Sequence, residues 1–285
     1  MKSKSIKEKV MHIVFLAAAM VCIMAVVLIC VFLLANGVPA MGKIGVFNFL
    51  LGKTWRPGQD IYGILPMILG SIYVTAGAII IGVPIGIMTA VFMARYCPKK
   101  IYAPLKGAID LLAGIPSVVY GFFGLVIIVP FVRDTFGGSG NSILTACVLL
   151  GFMILPTIIG VCESSLRAVP EEYYQNALAL GATHERSIFK VVLPTAKSGV
   201  LTGVVLGIGR AIGETMAVIM IAGNQARMPK GLLKGVRTLT ANIVMEMGYA
   251  ADLHREALIA TGVVLFVFIL LINLCLAAIK KGVEQ

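Results

Sequence analysis

Apolar residues along this chain gather into six long runs, lying within residues 13–35, 64–93, 109–132, 142–162, 199–222 and 258–279. Each run supplies about the 20 apolar residues that a helix rising about 1.5 Å per residue needs to cross the hydrocarbon core of a bilayer. The pattern therefore predicts an all-α polytopic membrane protein with six transmembrane helices. The longest connections are residues 36–63, 163–198 and 224–257. The first run follows a basic start (Lys2, Lys4, Lys7, Lys9), and Val38-Pro39-Ala40 looks like a signal cleavage site. A signal peptide's apolar region spans only about 7–15 residues; this run is longer and reads as an uncleaved anchor helix.

Composition agrees with the pattern. The chain is 59% hydrophobic and 13% charged, whereas soluble domains are about half apolar and a quarter charged. A net charge of +11 raises the question of nucleic acid. Its placement excludes that reading, because the basic residues sit in the gaps between apolar runs, as membrane topology requires. With the N-terminus inside, fourteen Lys and Arg fall in inner segments and nine in outer ones. Both termini are thus expected in the cytoplasm, with residues 1–63 forming the anchor helix and an extracytoplasmic loop. Residues 64–280 form the transmembrane core, with a long cytoplasmic loop at 163–198. The six cysteines form no CxxC and the three histidines no metal-ligand spacing, so no metal is expected.

Several runs carry helix-disturbing residues. Gly82-Val-Pro-Ile-Gly86 is expected to interrupt the second span, Gly114-Ile-Pro-Ser117 the third and Leu155-Pro156 the fourth. Gly199, Gly203 and Gly207 form a stripe at four-residue spacing, and Gly209 with Gly213 a second pair. Such stripes let helices approach closely.

The cytoplasmic loop has its own punctuation. Pro170, Glu171 and Glu172 suit a helix start, Gly181 a stop at positive φ, Thr183 the cap of a second helix, and Pro194 its end. Two short amphipathic helices broken at a glycine suit docking of a soluble partner better than a helix pair lying on lipid.

This loop resembles the EAA loop of ABC importer permeases, E-A-A-x3-G-x9-I-x-L-P. Ala177, Gly181, Leu193 and Pro194 match at the family spacing, with Val191 in the Ile place. Gln175 and Asn176 replace the leading Glu and Ala, so no carboxylate stands at position 175. The resemblance implies a type I importer fold and a coupling role for residues 175–181 against an ATPase subunit. Longer stretches are similar to the phosphate-specific permeases of the PstC type. These are Leu111-Leu-Ala-Gly-Ile-Pro-Ser-Val-Val-Tyr-Gly121, Gly209-Arg-Ala-Ile-Gly-Glu-Thr-Met-Ala-Val218 and Thr240-Ala-Asn-Ile-Val-Met-Glu-Met-Gly248. That resemblance implies transport of inorganic phosphate. The partners it implies are a second permease (PstA type), an ATPase homodimer (PstB type) and an extracytoplasmic phosphate-binding protein (PstS type).

Arg210 and Glu214 lie inside the fifth run. Charges at that depth cost at least about 2.5–3.5 kcal/mol each and default to functional roles. Their i,i+4 spacing places them on one helix face, able to pair. The choice is between a pair that only orients the bundle and a guanidinium offered to phosphate, with Glu214 as its counter-charge; the resemblance favours the second. Ser117 is a further path candidate, although a hydroxyl within a span commonly bonds its own helix.

Two decoys fail. Gly37-Val-Pro-Ala-Met-Gly42-Lys43 is followed by Ile44, where a phosphate-cradling loop needs Ser or Thr. Gly207-Ile-Gly209-Arg-Ala-Ile-Gly213 misses the dinucleotide spacing by one residue. With no nucleophile–base or metal set, an intramembrane enzyme is excluded and no cofactor is expected on this chain. ATP and magnesium would sit on the partner ATPase. A secondary transporter also uses broken helices and buried charges, but it has no ATPase for an EAA-like loop to engage.

Overall fold

The computed structural model describes residues 6–284, so Lys2 and Lys4 of the basic start lie outside the described residues. Every apolar run is helical. Helix α1 (Ile6–Ile44) is followed by the short α2 (Val46–Leu51). A small antiparallel ribbon comes next, β1 (Trp55–Arg56) against β2 (Ile61–Tyr62). Helix α3 (Leu65–Tyr96) leads to α4 (Lys99–Gly114) and α5 (Ser117–Phe136). Then come α6 (Ile143–Arg167), α7 (Glu171–Ala179), α8 (His184–Thr195), α9 (Lys197–Gly213) and α10 (Met216–Ile221). The described chain ends with α11 (Leu239–Met247) and α12 (Asp252–Glu284). Five helices are long and apolar enough to cross a membrane alone, and α8 with α9, bent by 70°, brings the number to six.

Helix α6 is the axis of the bundle, wedged between α3 and α9 through glycine. On α3, a Cβ added to Gly82 would fall 2.7 Å from Ile154 Cδ1, and one on Gly86 2.8 Å from Ile158 Cγ2. On α9, the stripe of Gly199, Gly203 and Gly207 faces Ser165, Cys162 and Ile158 in turn. Removing side chains on both flanks lets the α6 surface, with Leu150, Ile154, Ile158 and Cys162 fully or almost fully buried, meet neighbouring backbone directly. The first run behaves differently: from Val10 to Phe32 the apolar side chains of α1 face outward, as lipid contact requires. Only its later part packs on α12, where Gly37 meets Ala260.

Two expected interruptions do not occur. Both α3 and α6 run unbroken through Pro84 and Pro156. A proline removes one donor from a helix, and the close packing of α3 on α6 holds both helices through that loss. The third expected interruption does occur, at Ile115–Pro116, where both residues are extended (ψ 126° and 142°).

The end of the bundle opposite the 168–196 segment is sealed by connections that the runs did not foretell. The first N–H groups of α6, which have no partner inside the helix, reach carbonyls of the long loop after α10: Ile143 N to Lys234 O at 3.1 Å and Leu144 N to Leu232 O at 2.9 Å. The same loop lies against α3, with Leu239 N donating to Ser71 Oγ at 3.0 Å. Phe49, Trp55, Tyr62 and Ile64 share a second core with Leu239, Ala257 and Leu258.

The α6–α9 contact yields a test. Gly203→Leu is expected to lower the amount of folded chain recovered from membranes severalfold, since overpacking of this kind costs about 1–3 kcal/mol or more. Gly160→Leu, at a position where a Cβ meets nothing within 4 Å, is expected to leave recovery unchanged. Equal recovery of the two variants would show that the stripe tolerates bulk.

Candidate functional site

Two helix breaks lie side by side within the membrane-crossing region. The third span breaks between α4 and α5, as described. The fifth breaks after Gly213, where Glu214 turns extended (ψ 130°), before α10 resumes at Met216. One turn beyond each break the halves touch: a Cβ on Gly121 would fall 2.9 Å from the Cα of Ala217. Tyr120, buried, donates its hydroxyl back across its own break to Leu112 O at 2.8 Å. Ser117, half-buried, is the first residue of α5. An apolar cavity of about 410 Å³ adjoins the break, walled by Ile115, Val119 and Phe123 on one side and Leu149, Phe152 and Leu155 of α6 on the other.

The structure corrects the expected pairing of Arg210 with Glu214. They do not share a helix face, because α9 ends between them, and they form no ion pair. Arg210 Nη1 donates to Thr157 Oγ1 of α6 at 3.2 Å. The extended backbone at Glu214 aims its carboxylate forward, where Oε1 accepts from Ala217 N at 3.0 Å in the first turn of α10. A carboxylate is favoured there by the free N–H groups and by the helix dipole. The Glu214 carbonyl accepts from Thr240 Oγ1 of α11 at 3.1 Å. Gly209 and Gly213 also depart from the packing expectation: a Cβ on either meets nothing within 4 Å. They leave smooth open backbone on both sides of Arg210. Thr157 was missed because an uncharged residue in an apolar run gives no signal of its own.

At the end carrying residues 168–196 the sequence punctuation becomes geometry. Gly181 has φ 85°, Gly181 N donates to Leu178 O at 2.9 Å and Ala182 N to Ala177 O at 3.0 Å. Those two bonds form a Schellman stop. Thr183 Oγ1 accepts from Arg186 N at 3.3 Å and starts α8. Helix α8 does not end before Pro194. A wide π-type turn over Ile188–Val192 lets Leu193 and Pro194 enter one more turn, and the chain then bends into α9. Ala177 is buried, Gln175 is exposed and donates to Glu171 Oε1 at 3.4 Å, and Leu180 is 89% exposed beside the glycine. The loop is tied to the bundle by Arg95 of α3, which bonds Glu171 Oε2 at 2.8 Å, and its two helices are joined by Tyr174, whose hydroxyl lies 2.7 Å from His184 Nδ1.

Two buried carboxylates also escaped the sequence reading. Glu163, near the end of α6, sits among Tyr102, Lys106 and Arg167. At the opposite end of the bundle, Glu246 of α11 accepts from Trp55 Nε1 at 2.8 Å, pairs with Arg237, and lies 2.9 Å from His254 Nε2. Nearby, Tyr62 donates to Asp60 Oδ1 at 3.0 Å. Burial first, then the bond and charge of Asp60, push the Tyr62 hydroxyl up to about 12, so it stays a neutral donor.

Comparison with known proteins follows this geometry closely. The family described as "Binding-protein-dependent transport system inner membrane component" matches residues 82–285. The chain is 38% identical over 268 residues to the probable ABC transporter permease protein YqgH of Bacillus subtilis, covering 90% of this chain and 87% of that one. It is 33% identical over 289 residues to the phosphate transport system permease protein PstC of Mesorhizobium japonicum, covering 94% and 88%. Among solved structures, a bacterial alginate ABC transporter chain superposes with TM-score 0.68 at 14% identity, covering 98% of each chain. A chain of the MetNI methionine ABC transporter gives TM-score 0.64 at 20% identity, covering 81% of this chain and all of that one. The latter two likenesses speak for the fold, that of type I ABC importer permeases. With its family profile running from within α3 to the end, and relatives matched along nearly their whole length, the chain belongs to the binding-protein-dependent transport system inner membrane components.

Proposed function

We propose that this chain is one of two membrane-spanning subunits of an ATP-driven importer that carries inorganic phosphate into the cytoplasm. The observation that carries the reading is Arg210, a half-buried guanidinium on an open, glycine-flanked face between two helix breaks. No carboxylate neutralises it. Thr157 holds one of its N–H groups and leaves further donors of the planar fork for an oxyanion. The Glu214 carboxylate bonds the first turn of α10 rather than Arg210, and in this reading an anionic cargo supplies the counter-charge. That cargo is identified as phosphate by the name that the Mesorhizobium relative carries. Ser117, at the first turn of α5, lines the same route.

Coupling is assigned to the α7–α8 elbow. The exposed Leu180 and the first turns of α7 dock on an ATPase homodimer (PstB type), which holds ATP and magnesium. A second permease (PstA type) completes the route, and a phosphate-binding protein (PstS type) delivers cargo on the other side. Both termini and the elbow then lie in the cytoplasm, which keeps the anchor-and-core division at residue 63.

Three measurements on the assembled importer test this reading. Loss of two charge-assisted hydrogen bonds at about 1.5–3 kcal/mol each lowers a rate by at least about a hundredfold, so Arg210→Gln is expected to reduce phosphate uptake by that factor at unchanged complex level. Arg210→Lys is expected to restore only part of it, and Glu214→Gln added to Arg210→Gln to restore none. Uptake that recovers in the double variant would show that the two charges act only on each other.

Thr157→Val keeps the shape and removes the acceptor. A hydrogen bond to a charged group contributes about 1.5–3 kcal/mol, so uptake at low phosphate is expected to fall at least about tenfold. Thr157→Ser is expected to behave as wild type. An unaffected Thr157→Val would remove this residue from the site.

For the elbow, Gly181→Val places a β-branched residue at φ 85°, at a cost of about 1–2 kcal/mol. ATP hydrolysis stimulated by loaded binding protein is expected to drop severalfold, while Gly181→Asn, which tolerates that region, retains it. Normal stimulation in Gly181→Val would dissociate the elbow from coupling.

A further inference from the structure

Helix α4 is held to the bundle in an unusual way. It leads directly into the Ile115–Pro116 break beside the Arg210 face, yet Ile109 is its sole buried residue. Beside it only Tyr102 and Leu105, both partly buried, pack on the core. Polar bonds add to this hold. Glu163 of α6, 2% exposed, accepts from Tyr102 Oη and from Lys106 Nζ at 3.3 Å, both on α4. The same carboxylate accepts from Arg167 Nε at 2.8 Å. The Arg167 guanidinium lies 4.4 Å from the Tyr102 ring centroid and donates Nη2 to Met93 O at 2.8 Å, near the end of α3.

A second arginine continues this cluster to the elbow. Arg95, at the end of α3 and four residues before α4 begins, donates Nη2 to Leu166 O at 3.0 Å and Nη1 to Glu171 Oε2 at 2.8 Å. Glu171 opens α7. From the elbow to α4 a connected series thus runs from Glu171 to Arg95 and the Leu166 carbonyl, along the last turn of α6 to Arg167 and Glu163, and then to Tyr102 and Lys106. At its other end α4 is bonded through Leu112 O to Tyr120, next to the break.

We propose that Glu163 is the positioning residue that links elbow movement to α4, and so to the opening of the break beside Arg210. This rests on the reading of the elbow as the coupling element. A buried carboxylate with donors from two helices has one well-bonded arrangement, and losing any donor leaves charge unpaired in a site of low dielectric. Displacement of α7 pulls on the α3 and α6 ends through Arg95. The node then carries α4 along. Apolar contact alone would let α4 lag, because so little of it is buried.

The test uses the assembled importer in proteoliposomes with loaded binding protein, measuring ATP hydrolysis and phosphate flux in the same preparation. Glu163→Gln preserves shape and removes the charge. Stimulated hydrolysis is expected to persist within about twofold, while phosphate moved per ATP falls at least about tenfold. A fall of flux and hydrolysis in proportion, or no change in either, would overturn the proposal. A merely structural carboxylate changes both together or the amount of complex. Should Glu163→Gln fail to assemble, Tyr102→Phe, which deletes one donor, is read in the same way, with a smaller loss of flux per ATP expected and a proportional fall again decisive against the idea. Gly181→Val separates this proposal from its premise. Normal hydrolysis and flux in that variant refute the elbow reading. Impaired stimulation there, with normal flux per ATP in Glu163→Gln, leaves the elbow reading standing and refutes the role of Glu163.

Discussion

The close approach of α3 and α9 to α6 is the contact on which the rest of this protein depends. In lipid there is no hydrophobic force pressing helices together, so packing itself must do it. Glycine at positions 77, 82 and 86 on one side and 199, 203 and 207 on the other lets the side chains of α6 reach neighbouring backbone. The result is a stiff three-helix block. Arg210 stands in the last turn of α9 in that block and Thr157 on α6, so the 3.2 Å bond between them is set by the packing of the two helices.

Broken helices require the opposite kind of support. A span that stops within the membrane exposes carbonyls and N–H groups, each costing several kcal/mol if left in hydrocarbon. At both breaks a side chain takes up the loss: Tyr120 bonds the end of α4, Glu214 the start of α10, and Thr240 the carbonyl of Glu214. Thr240 comes from α11, which the far-end connections press against α3. The segment after α10 is therefore part of the site's construction.

What was legible in the sequence followed from strong local chemistry. Long apolar runs announced the crossings, and Gly181 and Thr183 announced the elbow, because a positive φ and an N-cap are properties of single residues. Pro116 and Pro84 show the limit. Each is a proline within an apolar run, yet one breaks its helix and the other does not. The difference lies in the neighbours: Pro84 is flanked by glycines clamped on α6, whereas Gly114 beside Pro116 meets nothing within 4 Å. The spacing of Arg210 and Glu214 misled for the same reason, since i,i+4 implies a shared face only where the helix continues. Thr157 and the partners of Glu163 are tertiary facts. No spacing along one chain segment shows that residues 102, 106, 163 and 167 meet.

A transporter must combine a part that does not deform with a part that does, and the two parts here are distinguished by what holds them. Helices α3, α6 and α9 are held by continuous glycine-mediated contact, which has no low-energy alternative arrangement. Helix α4 is held by one buried residue and a charged node. A helix attached mainly through one charged node can move with that node without opening a cavity, whereas a packed apolar face cannot slide without losing dispersion contact along its whole length. Under the proposed roles, motion of the elbow is directed into α4 rather than into the block that carries Arg210. The cation proposed to meet the cargo then stays fixed while the helix leading to the neighbouring break moves.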